Sequence, residues 1–278
     1  MKLIKLPLML SLSAAFLFSC QKDDISTPAE ESAEVQTEIS KSVISKVEEL
    51  HFNSNHIEKS KLLLPDGSYQ DTYLIEGDIA MDRSQIETMS PASITNKQYR
   101  TYNLVSSPRT ISVIGYTGGS GQGLTSKQRT ALQYAIDNYN ALNTGLSFTL
   151  TFGTNYSPYD IVVYQNPNGE AGGVAGFPSG GNPYKYVQIF SGMESYSTDT
   201  NEHVITHEIG HSVGLRHTDW YSRESCGQSG ESADPDGAVH IPGTPTDFDA
   251  NSVMLACFSA NEDGEFGYYD SVALEYLY

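Results

Sequence analysis

His207-Glu208-Ile209-Gly210-His211-Ser212-Val213-Gly214-Leu215-Arg216-His217 decides how the rest of this 278-residue chain is read. In a helix, residues four apart share a face, so His207 and His211 would turn their rings toward one point. Glu208, one residue on, is close enough to reach a water held there. Gly214 lacks a Cβ and tolerates a positive φ, so the chain can turn sharply after the helix and bring back His217 as a third imidazole. Three imidazoles with one free coordination position make a catalytic rather than a structural zinc site. A zinc ion serving only as a staple would need the histidines and have no use for Glu208.

The pattern His-Glu-x-x-His-x-x-Gly-x-x-His resembles the signature of the metzincin metallopeptidases. The wording His-Glu-Ile-Gly-His is closest to the bacterial dual-action HEIGH metallopeptidases. Downstream, Asn251-Ser252-Val253-Met254 stands where a Met-turn follows in that family, with Met254 as the apolar floor of the site. The resemblance implies an α+β, metzincin-like catalytic domain. It would have a twisted mixed sheet with two helices above the cleft, and a loop-rich lower part closed by a C-terminal helix. It also implies one zinc on His207, His211 and His217 and an endopeptidase using Glu208. Some metzincins carry a metal-binding tyrosine two residues after the methionine. This chain has Ala256 there, which leaves Tyr268 or Tyr269 to approach from elsewhere.

The first twenty residues read as an export signal: Lys2 and Lys5, then a largely apolar run from Leu8 to Phe18, ending at Cys20. The run is too short and wrongly flanked for a membrane span. Leu17-Phe18-Ser19-Cys20 resembles a bacterial lipobox, which would make Cys20 the lipidated first residue of the mature protein, anchored to a membrane. Gln21-Lys22-Asp23-Asp24 resembles the tag that sends lipoproteins to the outer face of certain Gram-negative bacteria. Export leaves Cys226 and Cys257, and one disulfide is their simplest use, with two free thiols or a metal role for Cys226 the alternative.

With 16 basic and 34 acidic residues the net charge is −18, and the region after residue 104 holds 19 acidic against 6 basic residues. That balance excludes a basic nucleic-acid footprint. It suits solubility at a cell surface and cationic substrates; a monomer acting on protein or peptide substrates is the expectation. Asp234-Pro235-Asp236-Gly237 and Asp247-Phe248-Asp249 offer oxygen ligands of the kind calcium takes. Neither has the twelve-residue loop pattern, so solvated turns are the plainer reading.

The organisation expected is a signal peptide over 1–20, a flexible tether over 21–40, a pro-region over 41–104 and the peptidase domain over 105–278. Within the pro-region, Ile75-Glu76-Gly77-Asp78 resembles the Phe-x-Gly-Asp latency motif of astacin-type metzincins, with Ile75 in place of Phe. Asp78 would then occupy the open zinc position; an ordinary turn after a strand is the other reading. The pro-region has no cysteine, which excludes a thiol switch. Arg100 and Arg109 are candidate activation sites.

In the peptidase domain, strands are expected at Ile111–Ile114, Leu146–Phe152, Asp160–Tyr164 and Lys185–Phe190. Thr125, with Gln128 completing a capping box, opens a helix to Leu142, and Asp199 with Glu202 caps the metal helix. A last helix is expected from about Asp270 to Leu277. The strand at Lys185–Phe190 is the candidate edge for pairing with an extended substrate. His240 is a candidate oxyanion or pocket residue, or simply a loop histidine. The reading from another class is a non-catalytic surface-binding lipoprotein with a structural zinc.

Overall fold

Five strands and two helices position the His-Glu-Ile-Gly-His run, in the expected α+β architecture with a twisted mixed sheet. The structure is a computed structural model and describes residues 38–89, 100–220, 222–228, 241–245 and 248–278. Cys20, the tether up to residue 37, His240, Asp234, Asp236 and Asp247 lie outside the described residues. Asp249, which is described, takes the backbone N–H of Asn251 on its own side chain, as a turn residue does.

Residues Lys41–Glu49 form α1, and strands β1 (Ile57–Leu63), β2 (Tyr69–Ile75) and β3 (Ile79–Met81) make a small antiparallel sheet, followed by α2 (Arg83–Thr88). This N-terminal layer has its own core of Val43, Val47, Phe52, Ile75, Ile79 and Met81, which takes in Phe177 from the larger part. The larger part contains β4 (Arg109–Tyr116), α3 (Ser126–Ala141), β5 (Leu146–Gly153), β6 (Ile161–Asn166), β7 (Gly173–Val174), β8 (Tyr186–Phe190), α4 (Thr198–Val213) and α5 (Tyr268–Leu277). Its sheet runs β5-β4-β6-β8-β7, parallel throughout except for β7, which pairs antiparallel to β8.

The parallel order follows from the connections, because each crossover between neighbouring parallel strands needs a helix or long loop to return the chain. Helices α3 and α4 pack on one face, burying Leu132, Ile136 and Tyr139 of the first and Val204, Ile205 and Ile209 of the second. Thr125 and Gln128 form the expected capping box of α3. The cap of α4 lies two residues earlier than expected. Ser197 accepts from the backbone N–H of Thr200, and Asp199 sits in the first turn.

Two expectations about the sheet need correction. Strand β8 is not an edge: β6 pairs on one side of it and β7 on the other. The short glycine-rich β7 provides the edge, and with two residues it carries no alternation that a sequence reading can detect. That edge is covered, since Ala80 donates its N–H to the Ala175 carbonyl at 2.7 Å and Ala175 donates to the Asp78 carbonyl at 3.0 Å. Arg109 is also not in a linker. It opens the central strand β4 and bonds Asp160 at 2.5 Å, so an activating protease finds no extended free chain there. Ile39–Tyr278 cluster as one unit, and a single parallel bridge between Ile79 and Ala175 joins β3 to the segment after β7.

Candidate metal centre

Helix α4 carries the first two candidate ligands, His207 and His211. Every residue from Thr200 to Val213 is buried, so the helix is held on all sides. Gly214 ends it at φ 115°, a left-handed conformation open to glycine, and its N–H closes on the Gly210 and His211 carbonyls. The chain then folds back, and His217 faces the helix as the spacing predicted.

The Nδ1 atoms of His207 and His211 each lie 2.8 Å from a backbone carbonyl, of Val253 and Leu215 respectively. A carbonyl only accepts, so both Nδ1 atoms carry the proton and both Nε2 lone pairs face the site. The Nε2 of His217 lies 3.2 Å from that of His211 and 2.9 Å from Oδ2 of Asp78, which is 3.6 Å from Nε2 of His207. Ligand atoms of Asp78, His207, His211 and His217 all fall within 4.8 Å of one another. Electron-rich atoms crowded round one buried point repel each other unless a cation lies between them. The donor set, three imidazoles and a carboxylate, fits a metal ion and suits zinc.

Glu208 is 2 % exposed, and its Oε2 has no hydrogen-bond partner among the described residues; the same holds for Oδ1 of Asp78. Burial, then the Asp78 carboxylate beside it, holds the Glu208 carboxyl well above the usual range. For Asp78 burial acts in the same upward direction. The charge of His217 outweighs it and keeps Asp78 ionised. Gly173 permits the close approach of β7 to Glu208, because a Cβ there would come within 2.7 Å of Glu208 Cγ and Oε1.

Met254 is buried under the helix, where a Cβ on Gly210 would meet its Sδ at 2.5 Å. Gly210, the glycine of the His-Glu-Ile-Gly-His run, is therefore small to make room for Met254. Cys226 and Cys257 form the expected disulfide, with Cα atoms 5.1 Å apart. For a loop of this length the chain-entropy account gives about 3–4 kcal/mol. Tyr268 is exposed and Tyr269 partly so; the two rings pack edge-on at the start of α5, and neither lines the cleft. A cavity of about 430 Å³ opens beside Glu208, with Tyr196, Val204 and Phe258 among its apolar walls.

Three functional neighbours carry no sequence signal. Asp219 accepts from the N–H and hydroxyl of Ser225 and from the N–H of Ala256, tying the loop after His217 to the segment after Met254. Asp270 accepts from Ser252 Oγ and from the N–H groups of Val253 and Gly267, fixing the turn whose Val253 carbonyl orients His207. Glu76, wholly buried, takes Arg216 at 3.2 Å and stands 3.3 Å from Nδ1 of His217. Each is one acidic residue among 34, with no local pattern to mark it.

The family model described as dual-action HEIGH metallo-peptidase matches residues 73–278, which include Asp78 and part of the N-terminal layer as well as the three histidines. No curated protein matches the sequence. Two solved structures of myroilysin are similar at 15 % identity. One has a TM-score of 0.39 and covers 61 % of this chain and 79 % of that one; the other has a TM-score of 0.38 and covers 70 % and 95 %.

Proposed function

This chain belongs to the dual-action HEIGH metallopeptidase family, and from that membership we propose that it is a zinc endopeptidase made as a latent precursor. The observation that carries the reading is the convergence of three Nε2 atoms beside a buried glutamate with an uncommitted oxygen. His207, His211 and His217 would hold the ion. Bound zinc supplies Lewis acidity to a scissile carbonyl and makes a water acidic enough to ionise near neutral pH. Glu208 takes the proton of the attacking water and hands it to the departing amide nitrogen. A carboxylate suits both steps because it can take up and release a proton near neutral pH.

The β7 edge from Gly173 to Ala175 would pair with an extended peptide, and the cavity beside Glu208 would take the side chain next to the cleaved bond. In the precursor Asp78 stands at the position such a substrate needs. The contact of β3 with Ala175 supports the same reading, because the layer covers the edge as well as the ion site. Export and a lipid anchor on Cys20, facing outward at a bacterial cell surface, complete the proposal on the strength of the first twenty-four residues.

The test is turnover of casein by the activated protein with and without a chelator, beside Glu208→Gln. The variant should bind one zinc per chain and lose roughly 10²–10⁴-fold in rate. Undiminished turnover with Glu208→Gln would remove the proposed base, and the endopeptidase mechanism with it.

A further inference from the structure

The three histidines are not oriented alike. His207 and His211 lean on main-chain carbonyls of the larger part, at Val253 and Leu215. The Nδ1 of His217 instead faces Oε2 of Glu76, 141 residues away in the N-terminal layer. The same three-residue turn thus grips both nitrogens of one ring, Asp78 at Nε2 and Glu76 at Nδ1. The turn is built for this. Glu76 adopts φ 57° and Gly77 φ 98°, which bring both carboxylates round to the same side.

Glu76 is held from several directions as well. Its Oε1 accepts from Arg216 and from the N–H of Asn53, and its carbonyl accepts from Arg223. Arg216 also donates to the His51 carbonyl and lies 4.1 Å over the Phe52 ring, both in the N-terminal layer. A carboxylate bonded to the far nitrogen of a metal-bound imidazole fixes the ring and raises its basicity, and its loss typically costs 10–100-fold in metal affinity.

We propose that Glu76 is a positioning residue for the third metal ligand, so that the segment closing the site with Asp78 also assembles it with Glu76. The proposal rests on the reading that the three histidines hold zinc, and it is independent of whether Asp78 enforces latency. Release of the segment removes the only acceptor that the described residues place at Nδ1 of His217.

The experiment uses the full precursor, stripped of metal and titrated with zinc against a chromophoric chelator. Glu76→Gln removes the charge but leaves Arg216 without its counter-ion, so the deciding comparison is the double variant Glu76→Gln/Arg216→Met against Arg216→Met alone. Both lack the buried cation, and the double variant leaves no unpaired charge. The double variant should bind zinc 10–100-fold more weakly, and its cobalt-substituted form should show displaced ligand-field bands. A smaller loss than tenfold, or an unchanged cobalt spectrum, overturns the proposal. If the double variant does not fold, the Nδ1 proton of His217 in the zinc-loaded wild-type precursor decides. A slowly exchanging, strongly downfield proton supports a carboxylate partner, and one in rapid exchange with water overturns it. A wild type that takes up no stoichiometric zinc defeats the endopeptidase reading itself, and Asp78→Ala, read by activity, tests latency separately.

Discussion

The two halves of the metal site are held by different means. His207, Glu208 and His211 sit on a buried helix whose two imidazoles are oriented by main-chain carbonyls. His217 and the loop after it are held by side chains from distant parts of the chain: Glu76, Asp78, Asp219 and the Cys226–Cys257 bridge. Main-chain partners survive almost any substitution, whereas a side-chain tie is lost with a single one. The helical half should therefore tolerate change and the loop half should not.

The largest effect that sharpens this contrast is expected at the clasp. Asp78→Ala in the uncleaved precursor should raise casein turnover at least tenfold, because the open coordination position is then free. A precursor as silent as the wild type would mean that closure comes from strand pairing at Ala175 alone. Next is Asp219→Ala, which removes a buried acceptor from three half-buried donors on Ser225 and Ala256. Urea unfolding should show a loss of about 3 kcal/mol, with zinc affinity falling in parallel. If stability fell and affinity did not, the loop half would be less dependent on its ties than the geometry argues.

Smaller effects test the helical half. Burial, with Glu265 and Asp199 nearby, raises the carboxyl of Glu202 on α4 from 4.5 to about 7. The fold therefore binds this proton more tightly than the unfolded chain does. The stabilising contribution is complete below about pH 4.5 and is lost as pH rises through about 7. Glu202→Gln still accepts from Asn138 and removes the dependence. Metal-free variant and wild type should match near pH 4, with the variant ahead by about 2 kcal/mol at pH 8. A parallel pair of stability curves would show that Glu202 does not titrate in this range. Smallest is Thr125→Ala, which deletes the cap of α3 for about 1 kcal/mol and should leave zinc affinity within error.

The helical elements were legible because their signals are local. The capping box at Thr125 and the four-residue spacing of His207 and His211 each lie within one or two helical turns, and the structure has both. The same locality explains the near miss at α4, where Ser197 and Asp199 are both good caps and only the packed helix chooses between them. The edge strand was misplaced for a different reason. Tyr186–Phe190 has the apolar character of a strand, but whether a strand is central or peripheral depends on what pairs beside it, here the unpatterned pair Gly173–Val174.

Asp78 illustrates the boundary. Its motif was readable, while its distance of 2.9 Å from His217 is a property of the folded chain alone. Glu76 lies beyond that boundary, as an acidic residue with no periodicity or spacing to relate it to a histidine 141 positions later.

The amino-acid order by itself determined the grouping of His207, His211 and His217, the glutamate beside them, the turn at Gly214 and the two helices, since each needs contacts only a few residues apart. Tertiary structure alone decided which strand forms the edge, what covers it, and which carboxylates meet the third histidine. Those contacts join segments separated by a hundred residues or more, and no local pattern records the packing that brings them together.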